Sequence, residues 1–347
     1  MTRSRALSSF FRVLRFAVRI LLVLFVLAML AGGGLAYLCL TPYGAYSNPV
    51  FVDVEHGAPT FAVASTLEGQ GVVRSRYLFL FLRLVQPHVR LQAGEYRFTE
   101  PLSPWQVFGK IQRGEIYYME LRVPEGSNLF DIAGLLANLD SVRPQEFLEA
   151  AADPGLINDL DPLAPDLEGY LFPSVYRLTR HTTGTQLCRM MTSKFRKVWA
   201  SLPVNANSAQ VHQTVTLASL VETETPSAAE RPLVASVFVN RLNQGMPLQC
   251  DPTAVYAALV EHRYRGTIYK SDLASTNPYN TYTHTGLPPG PIANPGVESL
   301  NAALNPAQSD YFYFVANPDA PGTHQFSTAL ASHQQAVNAY RKRGRAR

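Results

Sequence analysis

The stretch of residues 210–225 (QVHQTVTLASLVETET) contains the acid best placed for proton transfer. On a helix, Glu222 continues an apolar stripe formed by Val211, Val215 and Ala218, because these positions fall within about 60° of one another. A carboxyl group that faces a core or a cleft loses hydration, and this raises its pKa. A general acid must hold its proton near neutral pH, so Glu222 is the candidate catalytic acid.

The same position also has a purely structural interpretation. A carboxylate at the end of an apolar stripe can be salt-bridged, for instance to Arg231 or Arg241. Glu224 lies about 200° further round the helix from Glu222 and is expected to point away, either solvated or holding a local cation.

Three segments after this helix have the composition of a sugar site. Residues 277–296 (NPYNTYTHTGLPPGPIANPG) are rich in Pro, Gly, Asn, Thr and Tyr and almost free of charge, and residues 248–256 and 311–318 add aromatic groups. Amide and hydroxyl groups beside aromatic rings suit hydrogen bonding and stacking to sugars. A structural meander held by prolines is the alternative.

The sequence lacks the motifs of several common classes of catalytic and cofactor-binding sites. The sequence contains no GxSxG, no HExxH, no phosphate-binding GxxxxGK[ST] and no dinucleotide fingerprint. The eight histidines are scattered, and the three cysteines have no CxxC or Cys/His zinc spacing. Cys188 and Cys250 either form a disulfide or remain two independent, half-buried thiols.

A membrane anchor is predicted at the N-terminus. Residues 20–40 contain no charge, which at 1.5 Å per residue spans about 30 Å, the thickness of a bilayer core. Five arginines precede this run and none follows at once, so the N-terminus is predicted to be cytoplasmic. A cleaved signal peptide is the alternative, but the apolar run is longer than an h-region and lacks an obvious Ala-x-Ala site.

The distribution of charge along the chain argues against a nucleic-acid-binding protein. The formal net charge is +4, yet the two ends hold ten of the 30 basic residues and no acid. The body between them carries 20 basic against 26 acidic residues, a net charge of −6. A nucleic-acid groove would require a basic body.

The elements that position these residues form an α+β fold. Alternating apolar residues predict strands near 50–54, 94–98 and 117–123, and helical stripes lie between and after them. Ser103-Pro104 is a helix start. Ser227 and Glu230 have capping-box spacing, although Pro232 also suits a first turn.

Four motifs together resemble one family. They are LASLVETETPSAAERPLVASVFVNRLNQGMPLQCDPT (217–253), EGYLFPSVY (168–176), residues 277–296, and YFYFVA (311–316) with HQFSTALASH (324–333). These motifs closely resemble the MltG (YceG-like) family of endolytic murein transglycosylases. Their order and spacing also match, from the anchor to about residue 340. Cys250 departs from the pattern, which usually has Ser or Thr there.

The resemblance implies a membrane-anchored enzyme with a periplasmic body. Such an enzyme cleaves the β-1,4 bond between N-acetylmuramic acid and N-acetylglucosamine within glycan strands, leaves 1,6-anhydromuramoyl ends, and terminates growing strands near peptidoglycan synthases. The implied fold is a transmembrane helix, a small LysM-like module and a larger α+β catalytic domain. No cofactor or metal is implied.

The family's catalytic glutamate falls on Glu222. The candidates for sugar positioning are Gln249, Tyr279, Asn280, Tyr282 and, more weakly, Glu168. The alternatives are a lysozyme-like muramidase and a non-catalytic, membrane-anchored glycan-binding scaffold.

These expectations divide the chain into seven parts. They are a cytoplasmic basic segment (1–19), a transmembrane helix (20–40), a linker (41–49), a LysM-like module (50–118), a connecting α+β segment (119–166), a catalytic domain (167–340) and a basic, disordered tail (341–347).

Overall fold

The computed structural model describes residues 2–44, 46–203 and 208–344. The chain divides into two compact units, Met1–Tyr118 and Met119–Arg347. Both mix helices with short strands, and within the described ranges the strands form three antiparallel two-stranded sheets. The predicted α+β class is therefore confirmed.

The first unit begins with a long helix. Its elements are, in chain order, α1 (Thr2–Leu40), β1 (Val50–Val54), α2 (Thr60–Gly69), α3 (Arg76–Val85), β2 (Gly94–Phe98) and α4 (Pro104–Arg113). The segment Leu14–Leu40 of α1 has a mean hydropathy of 2.4, and among the described helices it alone is long and apolar enough to cross a membrane. The predicted span, 20–40, lies inside it, so the helix is consistent with an anchor.

A small core holds the rest of this unit together. Val52 pairs with Tyr96 across the β1–β2 ladder, and the rings of Phe79 and Phe108 lie 5.2 Å apart between α3 and α4. Ser103 accepts a hydrogen bond from the backbone N–H of Gln106 in a full capping box, so the predicted start of α4 is confirmed.

The second unit contains the remaining elements. They are β3 (Met119–Arg122), α5 (Leu129–Leu136), α6 (Pro144–Ala151), a short 3₁₀ helix (Pro154–Leu156), β4 (Val175–Leu178), α7 (Gly184–Ser201), α8 (Ser208–Glu224), α9 (Arg231–Asn243), α10 (Asp251–Val260), α11 (Lys270–Leu273), α12 (Val297–Leu304), β5 (Tyr313–Ala316), β6 (His324–Ser327) and α13 (Leu330–Gly344). β3 pairs with β4, and β5 pairs with β6.

Helix α8 lies between two apolar clusters of this unit. Val211, Val215 and Ala218 belong to a cluster that includes Tyr170, whereas its other side packs against a cluster built around Phe238. A helix buried on two sides is fixed in direction and rotation by its neighbours. The residues at its C-terminal end are therefore held firmly.

Helix α9 begins at Arg231, as Pro232 suggested, and not at the capping-box spacing. The carboxylate of Glu230 does not turn back to Ser227, because it accepts hydrogen bonds from the backbone N–H and the ring of His324, at 2.9 and 2.8 Å. This contact ties the β5–β6 hairpin to the start of α9.

Two other sequence expectations are refined. Cys39, Cys188 and Cys250 are all free and buried, so the alternative of independent thiols is confirmed. Residues 341–344 of the predicted tail continue α13, while residues 345–347, like position 45 of the predicted linker, lie outside the described residues.

Candidate active site

The carboxylate of Glu222 lies at the C-terminal end of α8, where the apolar stripe leaves the core. Only 4% of its side chain is exposed. Its Oε1 accepts a hydrogen bond from Nη2 of Arg231 at 2.7 Å, and its Oε2 accepts one from the backbone N–H of Gly296 at 2.9 Å. The ion pair of the structural alternative is therefore present, with Arg231 and not Arg241 as the partner, and both carboxylate oxygens are fixed in place.

A second carboxylate shares the same arginine. Oε2 of Glu125 lies 3.8 Å from Nη2 of Arg231, and half of the Glu125 side chain is exposed. The pKa of Glu125 is raised, first by burial and then by the negative charge of Glu222, while Arg231 opposes the rise. Because both carboxyl groups lie beside the single guanidinium of Arg231, this pair of acids can hold a proton that exchanges between them.

Arg231 itself is almost fully enclosed, with 7% of its side chain exposed. Its Nε is buried and has no hydrogen-bond partner among the described residues. A buried donor without a partner is costly. The guanidinium therefore retains one donor that a water or a ligand oxygen would satisfy.

Two glycines lie where the backbone approaches these acids. The carboxylate of Glu125 occupies the space that a Cβ on Gly296 would take, so a larger residue there would displace the Glu125 side chain. Gly126 has a φ of +78°, a left-handed conformation that favours glycine. Glycine is therefore favoured at the turn after β3 that carries Glu125.

Glu168 and Asn294 connect the two backbone segments that form this site. The amide of Asn294 donates to the carbonyl oxygen of Ser127 and to Oε1 of Glu168, both at 2.9 Å, and accepts from the backbone N–H of Leu171 at 2.8 Å. Oε2 of Glu168 accepts from the backbone N–H of Leu129 at 2.9 Å. Asn294 thereby fixes the backbone two residues before Gly296.

A cavity of about 310 Å³ lies next to this site. Glu222 itself is not in its wall, but Thr223, the next residue of α8, and Gly126, which approaches the Glu222 side chain, are. The rest of its lining is contributed by Asn128, Asp251, Pro252, Val255, Tyr256, Leu259, Ile268 and Ile292. The lining combines apolar surface with a few polar groups, which is typical of a ligand site.

Two of the sequence candidates, Tyr282 and Tyr279, contact residues that line this cavity, and a third, Gln249, is exposed at the surface. The hydroxyl of Tyr282 donates to the carboxylate of Asp251, and the ring of Tyr279 packs 4.9 Å from that of Tyr256. Gln249 is exposed and has a φ of +51°, a left-handed conformation that is unusual for a residue with a side chain.

Two other candidates do not reach solvent. Asn280 has no exposed surface, and its amide donates to the carbonyl oxygens of Leu273 and Ser275 at 3.1 and 2.7 Å. Glu168 is 1% exposed, and burial raises its pKa well above the usual range. In this structure both residues hold loops together and are positioned to orient other groups.

Glu224 refines one expectation. It is only partly exposed, and the thiol of Cys250 and the guanidinium of Arg241 lie near its carboxylate. Burial, the largest effect, raises its pKa. The side chain faces the cluster on the other side of α8, which helical periodicity alone could not reveal.

Sequence reasoning missed Glu125 as a member of the site. The only local signal was the turn Pro124-Glu125-Gly126 after an alternating strand. Turns of this kind are common, and the approach of Glu125 to Arg231 arises only from the packing of distant segments.

Comparisons with known proteins agree with one another. A profile of the YceG-like family matches residues 52–339. The chain is 34% identical over 310 residues to a Bacillus subtilis protein named endolytic murein transglycosylase, covering 84% of each chain. It is 29% identical to a Streptococcus pneumoniae protein of the same name, covering 85% of this chain and 60% of the relative.

A solved structure is also similar. A putative YceG-like protein from Listeria monocytogenes matches with a TM-score of 0.52 and 31% sequence identity. The match covers 84% of this chain and 99% of that chain.

Proposed function

The chain belongs to the YceG-like family, and on that premise we propose that it is an endolytic murein transglycosylase, a lyase that cleaves peptidoglycan glycan strands. The names of the relatives from B. subtilis and S. pneumoniae support this assignment. The observation that carries it is the carboxylate of Glu222, held by Arg231 and Gly296 beside a cavity. The bond cleaved is the β-1,4 link between N-acetylmuramic acid and N-acetylglucosamine.

Glu222 acts as the acid and then as the base. Its carboxyl group protonates the oxygen of the leaving sugar as the glycosidic bond breaks. The resulting carboxylate accepts the proton of the C6 hydroxyl as that oxygen attacks the anomeric carbon. The product is a 1,6-anhydromuramoyl end, no water is consumed, and the intramolecular attack gains from proximity.

The neighbours of Glu222 prepare it for this cycle. Arg231 and the Gly296 N–H hold the two oxygens of the Glu222 carboxyl group in place, and Glu125 provides a second proton-binding site on the same arginine. Gln249, Tyr279 and Tyr282 position sugars at the cavity, whereas Asn280 and Glu168 act through the loops that they hold. The reaction requires no metal or organic cofactor.

Helix α1 anchors the protein in the bacterial inner membrane, with the N-terminus in the cytoplasm and the body in the periplasm. The length and hydropathy of α1 support the anchor, and the arginines before residue 20 support the orientation. Residues 50–118 form a LysM-like module, a proposal that the compact β1–α2–α3–β2 arrangement supports. Peptidoglycan synthases are the proposed partners, and nucleic acid is not.

A lysozyme-like muramidase is the second candidate, because one observation favours it. Glycosidases that use water employ two carboxyl groups, and Glu125 is a second acid beside Glu222. A non-catalytic glycan-binding scaffold is the third candidate. The products of digestion distinguish all three.

The test is the digestion of purified glycan strands by the full chain in detergent, with the ends analysed by mass. Anhydro ends support the lyase, ends one water heavier indicate the muramidase, and intact strands indicate the scaffold. Glu222→Gln is expected to lower the rate by about 10²–10⁴-fold. Glu149→Gln, an exposed acid on α6, is the control and should retain full activity.

A further inference from the structure

Helix α3 is apolar on two opposite faces. Leu78, Phe79 and Leu82 are buried in the core of the first unit. The opposite face exposes Tyr77, Phe81, Leu84 and Val85, with Leu84 76% exposed. A contiguous exposed apolar face of this kind marks a surface that contacts something other than water.

The charged groups of α3 do not interrupt this face. Arg76 forms an ion pair with Glu68 of α2. Nη1 of Arg83 donates to the carbonyl oxygens of Gln86, Pro87 and Val89 at 3.0, 2.8 and 2.7 Å. Both guanidinium groups thus bond to the chain itself, at the two ends of the helix.

The exposed face adjoins the outer end of the membrane helix. An apolar cavity of about 310 Å³ is lined by Gly32, Leu35 and Cys39 of α1, by Phe81 and Val85 of α3, and by Trp105 of α4. Trp105 itself is 48% exposed. We call the exposed residues Tyr77, Phe81, Leu84, Val85 and Trp105 the α3–α4 face.

The depth of this face follows from helix geometry. Arg19 is the last charged residue of α1, and about 20 residues after it span a hydrocarbon core of about 30 Å. Gly32 then lies about 10 Å inside the outer boundary of that core. The α1 lining of the cavity runs from Gly32 to Leu40, so the side chains that share it lie between that depth and the outer boundary of the core.

Aromatic and basic groups mark the boundary itself. Tyr37 on α1 is 67% exposed. Just beyond α1, the guanidinium of Arg74 lies 5.3 Å from the ring centre of Tyr43. Tyrosine, tryptophan and arginine at the end of a span are typical of the membrane–water interface.

We propose that the α3–α4 face is embedded in the outer leaflet of the cytoplasmic membrane, with lipid acyl chains covering it. The first unit is then a module seated on the bilayer and not tethered freely above it. Burial of an apolar helix face at the acyl boundary stabilises such seating. This inference rests on the proposed membrane anchor and is independent of the proposed reaction.

The two tryptophans of the chain allow a direct test. Trp199 is buried in the second unit, where its ring stacks on Phe195. Trp199→Phe therefore leaves Trp105 as the sole emitter. The full chain is reconstituted in phosphatidylcholine–phosphatidylglycerol vesicles whose acyl chains are brominated. We expect about a halving of the Trp105 emission, since an interfacial indole lies among the acyl chains, and little quenching by aqueous iodide.

Matched variants separate the face from the rest of the chain. Trp105→Phe leaves only Trp199, whose emission should not respond to brominated lipid. In the Trp199→Phe background, Leu84→Glu places a charge in the face and should lower bromine quenching while raising iodide quenching. Leu163→Glu, an exposed leucine of the second unit, should change neither.

Each other result overturns the proposal. Strong iodide quenching without bromine quenching would mean that water covers the face. Protection from both quenchers would mean that protein covers it, for instance a second copy of the chain. Release of the unmodified chain by alkaline carbonate would overturn the anchor, and the inference with it, while leaving the digestion test of the reaction unaffected.

Discussion

Arg231 at the start of α9 donates from Nη2 to Oε1 of Glu222 at the end of α8, at 2.7 Å. Both side chains are less than a tenth exposed. The same nitrogen lies 3.8 Å from Glu125. A buried ion pair of this kind stabilises little by itself, but breaking it leaves an unpaired charge inside the protein.

Arg231→Met is therefore expected to destabilise the protein by about 3–5 kcal/mol, measured as the free energy of unfolding of the detergent-solubilised chain. The double variant Arg231→Met/Glu222→Gln should lose less, because no unpaired carboxylate remains. Arg122→Met removes an exposed pair with Glu120 and should cost less than about 1 kcal/mol. Equal losses in the single and double variants would contradict the coupling.

The raised pKa of Glu125 gives a second prediction. Glu222→Gln removes the neighbouring negative charge that raises this pKa, so the pKa of Glu125 should fall. Titration of carboxyl ¹³C signals by NMR measures it, with Glu125→Gln for assignment. Glu298→Gln removes a weaker contributor and should lower the pKa of Glu125 less. If Glu298→Gln had the larger effect, the proposed pairing of Glu125 with Glu222 would be wrong.

Asn294 should be essential for both stability and activity. Asn294→Ala removes three buried hydrogen bonds, to Ser127, Glu168 and Leu171. We expect a loss of about 2–4 kcal/mol, at about 1 kcal/mol or slightly more for each buried bond. Strand cleavage should also slow, because the backbone of Gly296 loses its support. Asn305→Ala, at an exposed position on the C-cap of α12, should change neither quantity.

The contacts of His212 on α8 predict that the stability of the folded protein depends on pH. Its Nδ1 lies 2.8 Å from the carboxylate of Asp161 and its Nε2 lies 3.0 Å from the carbonyl oxygen of Pro289. Both partners are acceptors, so the protonated ring can donate from both of its nitrogens. The hydrogen bond to Asp161 is the main cause that raises the pKa of His212. Burial raises the pKa of Asp161, but hydrogen bonds from His212, Tyr170 and the Leu163 N–H together lower it.

His212 contributes its full stabilisation when the pH is below the pKa of about 6.5 that it has in the unfolded chain, and this stabilisation is lost as the pH rises through its pKa in the folded protein. Asp161 contributes its stabilisation when the pH is above the pKa of about 3.9 that it has in the unfolded chain, and this stabilisation is lost as the pH falls through its pKa in the folded protein. The melting temperature of His212→Asn should therefore lie furthest below wild type at pH 5–6, and the gap should narrow toward pH 9. His284→Asn, at an exposed histidine, should show no such window.

Gln249 combines backbone strain with a proposed sugar contact. A left-handed conformation costs a residue with a side chain about 1–2 kcal/mol relative to glycine. Gln249→Gly should therefore raise the free energy of unfolding by about 1 kcal/mol while weakening the binding of glycan strands. His262 has a φ of +54° and is exposed, so His262→Gly should give the stability gain without the loss of binding. Unchanged strand binding by Gln249→Gly would remove this residue from the proposed site.

Local patterns determined much of this protein. The uncharged run after the arginines predicts a membrane helix, and the stripe from Val211 to Ala218 points to Glu222. Alternation predicts three of the six described strands, β1, β2 and β3, and the pair Ser103-Pro104 predicts the start of α4. Each of these signals depends only on neighbours within a few turns of the chain, which is why sequence alone suffices for them.

Only the tertiary structure decided which side chains contact the acidic residues at the end of α8. The stripe gives the direction of Glu222 but cannot show whether Arg231 or Arg241 meets it, nor that Glu125 shares the same cation. It cannot show that Glu224 faces a second cluster beside Cys250, since α8 is buried on both sides. These contacts join segments far apart in the chain, and their energies arise from packing and desolvation, which exist only once the segments have come together.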